Sequence, residues 1–105
     1  MQKLVAIFPT KNEEDTIEHV IKTAKDSIHG PEIIVVDAYS SDDTVKIALD
    51  NSAKVIEQGN RMFPAKGIAM KKGIDEAINA NANTGLFLDA DIKNLTPEWI
   101  DKLVE

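Results

Sequence analysis

The chain has 105 residues, 43% of them hydrophobic and 29% charged, which is the length of one domain with a core of its own. It has no cysteine, which excludes disulfides, thiolate metal sites and cysteine nucleophiles. Its formal charge is −6, from 18 acidic and 12 basic residues, and aromatic residues make up 5%. This balance argues against a nucleic-acid partner and against a base-stacking platform, but not against a phosphorylated ligand bridged by a divalent cation. No apolar run approaches the ~20 residues that span a bilayer. The run Leu4–Phe8 before Pro9 is too short for a secretory leader. The expectation is a soluble cytoplasmic protein without a transmembrane segment.

In chain order, Leu4 to Phe8 reads as a buried strand that Pro9 ends. Ile17, Val20, Ile21, Ala24 and Ile28 then follow helical spacing. Asn12 is the expected cap of that helix, with Asp15 in the reciprocal position, Glu13 to Asp15 in the first turn and Gly30-Pro31 as the stop. Ile33 to Val36 is a second buried strand, closed by Asp37. Ser40 or Ser41 is expected to cap a helix with Val45, Ala48 and Leu49 on one face. Ala53 to Glu57 reads as a short third strand and Gln58 to Pro64 as a loop. Lys66 to about Ala82 reads as a helix with Met70, Ile74, Ala77 and Ile78 on one side. Gly73 lies on that side too, which predicts close backbone packing rather than a break. Leu86 to Leu88 is a fourth strand, and Thr96-Pro97 opens a last helix with Ile100, Leu103 and Val104 inward.

Buried strands alternating with amphipathic helices predict a Rossmann-like α/β fold: a mostly parallel sheet of about four strands, covered on both faces. In such sheets ligands bind beyond the carboxyl ends of the strands. Three ends carry polar residues: Pro9-Thr10-Lys11-Asn12-Glu13-Glu14, Asp37-Ala38-Tyr39-Ser40-Ser41-Asp42-Asp43, and Asp89-Ala90-Asp91. Two carboxylates two residues apart suit one hard cation, Mg2+ or Mn2+, with room left for substrate phosphates. A solvated turn also produces such a triplet. Asp37 suits either a loop hydrogen bond or acceptance from a base N–H. Lys66, a cation at a helix start, sits against the dipole and hints at a ligand, although a solvated lysine has the same sequence. His19 and His29 read as structural, since they do not have metal spacing.

Together with Ala65-Lys66-Gly67, these segments resemble family-2-like glycosyltransferases of the GT-A fold, most closely the glucosyl-3-phosphoglycerate synthases. A more distant likeness, through Asp89-Ala90-Asp91 and Pro97-Glu98, is to dolichyl-phosphate mannose synthases. Membership implies that Pro9, Thr10 and Glu13 line a nucleotide pocket and that Asp37 and Ala38 face the base, Asp37 suiting the imide N–H of uracil. It also implies Lys66 beside the base or phosphates, Asp89 at the ribose or the metal-bound diphosphate, and Asp91 on the metal. The implied chemistry is sugar transfer from a nucleoside diphosphate sugar, UDP-linked by preference, to a hydroxyl acceptor such as 3-phosphoglycerate. The cation would stabilise the leaving diphosphate. The sequence departs from the pattern at Ala38-Tyr39, which stands where a small polar or glycine pair is common. It also has only 14 residues after Asp91, so residues 1–105 read as the donor-binding half alone, a single domain without the acceptor half. The catalytic base, retention or inversion, and the acceptor are therefore not assigned. The alternative is a non-catalytic nucleotide-binding or oligomerisation module, pairing through an exposed sheet edge.

Overall fold

A computed structural model of the chain describes residues 3–27, 30–57, 66–82, 84–88, 90 and 96–98, with backbone alone for 66–70. Its elements are β1 (Leu4–Thr10), α1 (Ile17–Lys25), β2 (Glu32–Asp37), α2 (Thr44–Asp50), β3 (Lys54–Glu57), α3 (Lys66–Asn79) and β4 (Thr84–Phe87). The four strands are parallel, in the order β3-β2-β1-β4. The chain winds outward from β1 to β2 and β3, then crosses back to β4 on the other side of β1. The order therefore reverses at β1, and the crevice of a doubly wound sheet opens at the carboxyl ends of β1 and β4.

Alternation along the buried strands sends their side chains to two cores. Ala6, Phe8, Ile33 and Val35 meet Ile17, Val20, Ile21 and Ala24 of α1 and Ala48 of α2 on one face. Val5, Ile7, Ile34 and Val36 meet Ala77 of α3 on the other. Both faces are covered, as the uninterrupted apolar runs require. Gly73 is the point of closest approach. A Cβ there would stand 2.5 Å from Ile7 Cγ2, so only a glycine lets α3 lie this near β1.

Several boundaries differ from the sequence expectation, those of β1, β4 and the helix starts for tertiary reasons. β1 does not stop at Pro9 but pairs on through Pro9↔Val36 and Thr10↔Asp37. Ile7 accepts from the Leu88 amide and Thr10 from the Ala38 amide. Pro9, two residues past Ile7, therefore turns its missing N–H towards the β4 side, beyond the last paired residue of that strand, and no ladder bond is lost. α1 begins at Ile17 with Thr16 as N-cap, and α2 begins at Thr44 with Asp43 as N-cap; neither has a side-chain cap bond. Asn12, Ser40 and Ser41 are engaged elsewhere. α1 closes at Lys25, ahead of Gly30-Pro31, and α3 closes at Asn79, ahead of Ala82. β4 runs over Thr84–Phe87 rather than 86–88, because its register with Leu4–Ile7 draws Thr84 and Gly85 into the sheet. Leu49, Ile74 and Ile78 remain exposed, at 56%, 45% and 66%. Ile74 and Ile78 share the sheet side of α3 with Ala77, lining an open groove with Ile7 and Phe87, while the smaller Ala48, Gly73 and Ala77 lie nearest the strands. The loop Gln58 to Pro64, Ile28, His29, the Met70 side chain and the inward set Ile100, Leu103 and Val104 lie outside the described residues.

Candidate functional site

The loops after β1 and β2 lie side by side at the carboxyl rim, joined by a run of cross-loop hydrogen bonds. Lys11 Nζ donates to the carbonyls of Ala38 (2.9 Å) and Tyr39 (3.1 Å). The Asn12 amide donates to Ser40 Oγ (2.8 Å), and Asn12 Oδ1 accepts from the amide (2.8 Å) and hydroxyl (3.3 Å) of Ser41. The Glu13 amide donates to Thr44 Oγ1 (2.8 Å). The Glu14 amide donates to Asp42 Oδ2 (3.2 Å), and Glu14 Oε2 in turn accepts from the Asp43 amide (3.0 Å). Residues that look like local helix caps in sequence are thus donors and acceptors between two loops about thirty positions apart.

Asp42 anchors its own side of this clasp, accepting from the Thr44 amide (3.0 Å) and, in a short bond, from the Thr44 hydroxyl. Desolvation pushes its carboxyl pKa upward, but the bonds from the Thr44 hydroxyl, the Thr44 amide and the Glu14 amide outweigh that and hold it below its usual value of 3.8.

Asp37 lies one layer deeper, 1% exposed at the end of β2. Its Oδ1 accepts from Thr10 Oγ1 (2.7 Å) and Ser40 Oγ (2.6 Å), and its Oδ2 accepts from the Ser40 amide (2.8 Å). A carboxylate has about four acceptor positions, so roughly one is left, on Oδ2. Thr10 is also buried, at 4%. Of the expected nucleotide-lining set, Pro9, Thr10, Glu13, Asp37 and Ala38 therefore share one rim, with Thr10 and Asp37 turned towards each other.

On the crevice side, Thr16 Oγ1 donates to the Ala90 carbonyl at 2.6 Å. This bond ties the start of α1 to the residue between the two aspartates of Asp89-Ala90-Asp91. Ala90 is buried at 3%, in the same core as Phe8 and Ile17. Lys66 begins α3, with its side chain outside the described residues, as are Asp89 and Asp91. Among the described residues no group of three or more His, Asp or Glu side chains gathers to hold a metal ion, and no helix is long and apolar enough to cross a membrane. Sequence reasoning names Lys11, Asn12, Ser40 and Ser41 only within polar strand-end runs or as helix caps, and misses the roles of Thr16 and Thr44 altogether. Their one signal is that polar residues crowd immediately after buried strands.

The family model of glycosyl transferase family 2 matches residues 5–105. The chain belongs to that family. A glycosyltransferase of Rickettsia felis is 37% identical to this family 2 chain over 103 residues, covering 98% of the chain and 33% of the relative. The glucosyl-3-phosphoglycerate synthase of Mycobacterium tuberculosis H37Rv is 30% identical over 105 residues, covering 93% and 32%. A crystal structure of that mycobacterial enzyme, in complex with Mn2+, UDP and glucosyl-3-phosphoglycerate, superposes with a TM-score of 0.81 at 28% identity, covering 98% of the chain and 38% of the solved one. The same enzyme has been solved with Mn2+, UDP-glucose and phosphoglyceric acid, again at a TM-score of 0.81. The fold of the family 2 chain is thus the GT-A-like α/β fold of these enzymes, and the chain spans about a third of the length of the curated relatives it matches.

Proposed function

We propose that this chain is the donor-binding domain of a glycosyltransferase, one that holds a nucleoside diphosphate sugar with a divalent cation and presents the sugar to a hydroxyl acceptor. The observation that carries this reading is the convergence at one rim of the β1 and β2 loops and of Ala90, the residue between Asp89 and Asp91. Three neighbouring strand ends, at about 4.8 Å per step, give a frontage of roughly 10 Å. The base lies at the β2 end, beside Ala38 and over Asp37, whose carboxylate accepts from Thr10 and Ser40 and so fixes the shape of that loop. The ribose and diphosphate lie across Pro9, Thr10 and Glu13 towards Asp89 and Asp91, with Lys66 beside the base or the phosphates. Asp89 and Asp91 supply the hard carboxylate oxygens that Mg2+ or Mn2+ takes, and Asp91 is the principal ligand. A cation held there offsets charge on the departing diphosphate. This chain's own residues position the donor. What supports uridine as the base, glucose as the sugar and 3-phosphoglycerate as the acceptor is the content of the mycobacterial complexes, with UDP or UDP-glucose and glucosyl-3-phosphoglycerate or phosphoglyceric acid.

Calorimetry with UDP and UDP-glucose, with and without Mn2+, tests this reading. The expected result is metal-dependent binding that chelation removes and Asp91→Ala abolishes. Binding indifferent to both would overturn the metal role. A second reading, a non-catalytic module that pairs through the outer edge of β4, rests on β4 pairing with β1 alone among the described residues. Tight UDP-glucose binding without UDP release when 3-phosphoglycerate is added would favour the module.

A further inference from the structure

Four non-glycine residues among those described have positive φ: Asn12 (53°), Tyr39 (55°), Ser52 (64°) and Asn81 (60°). Three have a local reason. Ser52 and Asn81 close α2 and α3. The amide of each donates three residues back, and the amide of the following alanine donates five residues back (Ala53 to Ala48, Ala82 to Ala77), the hydrogen-bond pair that a left-handed helix terminus makes. Asn12 is a residue type that tolerates this region, and its side chain is bonded to Ser41. Tyr39 has neither reason. It closes no helix, and a bulky side chain in the left-handed region is strained, where glycine would be free of strain.

That strain is held in place from all sides. The Ala38 amide donates to the Thr10 carbonyl at 2.9 Å. The carbonyls on both sides of Tyr39's own amide and carbon are gripped by Lys11 Nζ, and the next amide, of Ser40, donates to Asp37. A conformation over-determined in this way at a ligand-facing loop is where backbone strain serves function. Since a glycine would give the same backbone path more cheaply, what the position retains by having tyrosine is the side chain. That side chain is half-buried on the rim, adjacent to Asp37 and Ala38. Resting on the nucleotide reading above, the geometry points to Tyr39 as the residue that meets the nucleobase of the donor, its ring lying against the base. Aromatic faces are sequence-tolerant platforms for bases, and Tyr39 is the single tyrosine of the chain.

The single tyrosine also makes the test direct. The 105-residue chain is titrated with UDP, with Mn2+ for affinity by calorimetry and with diamagnetic Mg2+ for the tyrosine ring resonances by NMR. UDP is expected to shift those resonances, and inorganic pyrophosphate with Mg2+ is not. Tyr39→Gly and Tyr39→Asn both accept positive φ without the ring. They are expected to bind UDP about tenfold more weakly while melting at the same temperature as the parent or higher. Tyr39→Phe, which keeps the ring, is expected to restore the affinity lost in Tyr39→Asn. Parental UDP affinity in the Gly and Asn variants overturns the assignment of Tyr39 and leaves the nucleotide reading standing. A fall in melting temperature with unchanged affinity assigns the ring to packing and overturns it as well. No UDP binding by the parent chain overturns both.

Discussion

Gly73 shows how much of this fold turns on a single missing methyl group. Its position faces Ile7, which is fully buried, and a Cβ would stand 2.5 Å from Ile7 Cγ2 and 3.3 Å from Ile7 Cδ1. Ile7 is β-branched in a central strand and has little rotamer freedom to yield. Gly73→Ala gains helix propensity of about 1 kcal/mol, but overpacking of this kind costs about 1–3 kcal/mol. The expected net result is a loss of about 1 kcal/mol, read as a lower urea midpoint at unchanged slope. The close contact is legible in sequence, because a glycine on the apolar side of a helical repeat has few other uses. The exposure of Ile74 and Ile78 is not legible, because the repeat fixes which side of the helix they share with Ala77 but not how much of that side is covered; the two line an open groove with Ile7 and Phe87. Gly73 and Ala77 hold the places nearest the strands.

Loops and helices tell the reverse story. The order of strands and helices follows from alternating apolar runs and 3.6-residue periodicity, and the parallel sheet with both faces covered follows from strands that have no polar face. The helix starts do not follow, since Asn and Ser carry the same signal whether they cap a local helix or bond to a distant loop. Asn12 and Ser41 bond to each other, and Ser40 bonds to Asp37, so α1 and α2 begin further along. The site was legible as a set of strand ends, but not as a clasp, because its partners are non-local. Asp42 gives that clasp a pH signature. Its carboxyl is held below 3.8 in the folded chain. An unfolded chain therefore takes up the proton first on acidification, and stability is lost as pH falls through the lowered folded value. The contribution is fully present above 3.8. Asp42→Asn is expected to be less stable than the parent at neutral pH, with the difference shrinking in denaturant titrations below that value.

Across the whole molecule, the two ends of the sheet are built from different interactions. Towards the amino ends of the strands, Lys54 pairs with Glu76 at 2.6 Å and Lys3 with Glu32 at 3.4 Å. Other surface pairs among the described residues, Lys22–Glu18, Lys46–Asp50 and Lys71–Asp75, join residues one helical turn apart. The carboxyl rim is closed instead by amides, hydroxyls and carboxylates, with Lys11 reaching carbonyls rather than acids. Dissolved ions weaken attractions between exposed opposite charges and leave short hydrogen bonds largely untouched. Raising sodium chloride from about 0.05 to 0.5 M is therefore expected to change unfolding stability by less than about 1 kcal/mol, since exposed pairs contribute little to begin with. Ionic strength then becomes a clean probe of the bound state. Whatever affinity for UDP disappears in brine measures chiefly the electrostatics of the guest and its counter-ion, because the doorway that receives it is clasped, among the described residues, by hydrogen bonds that salt leaves shut.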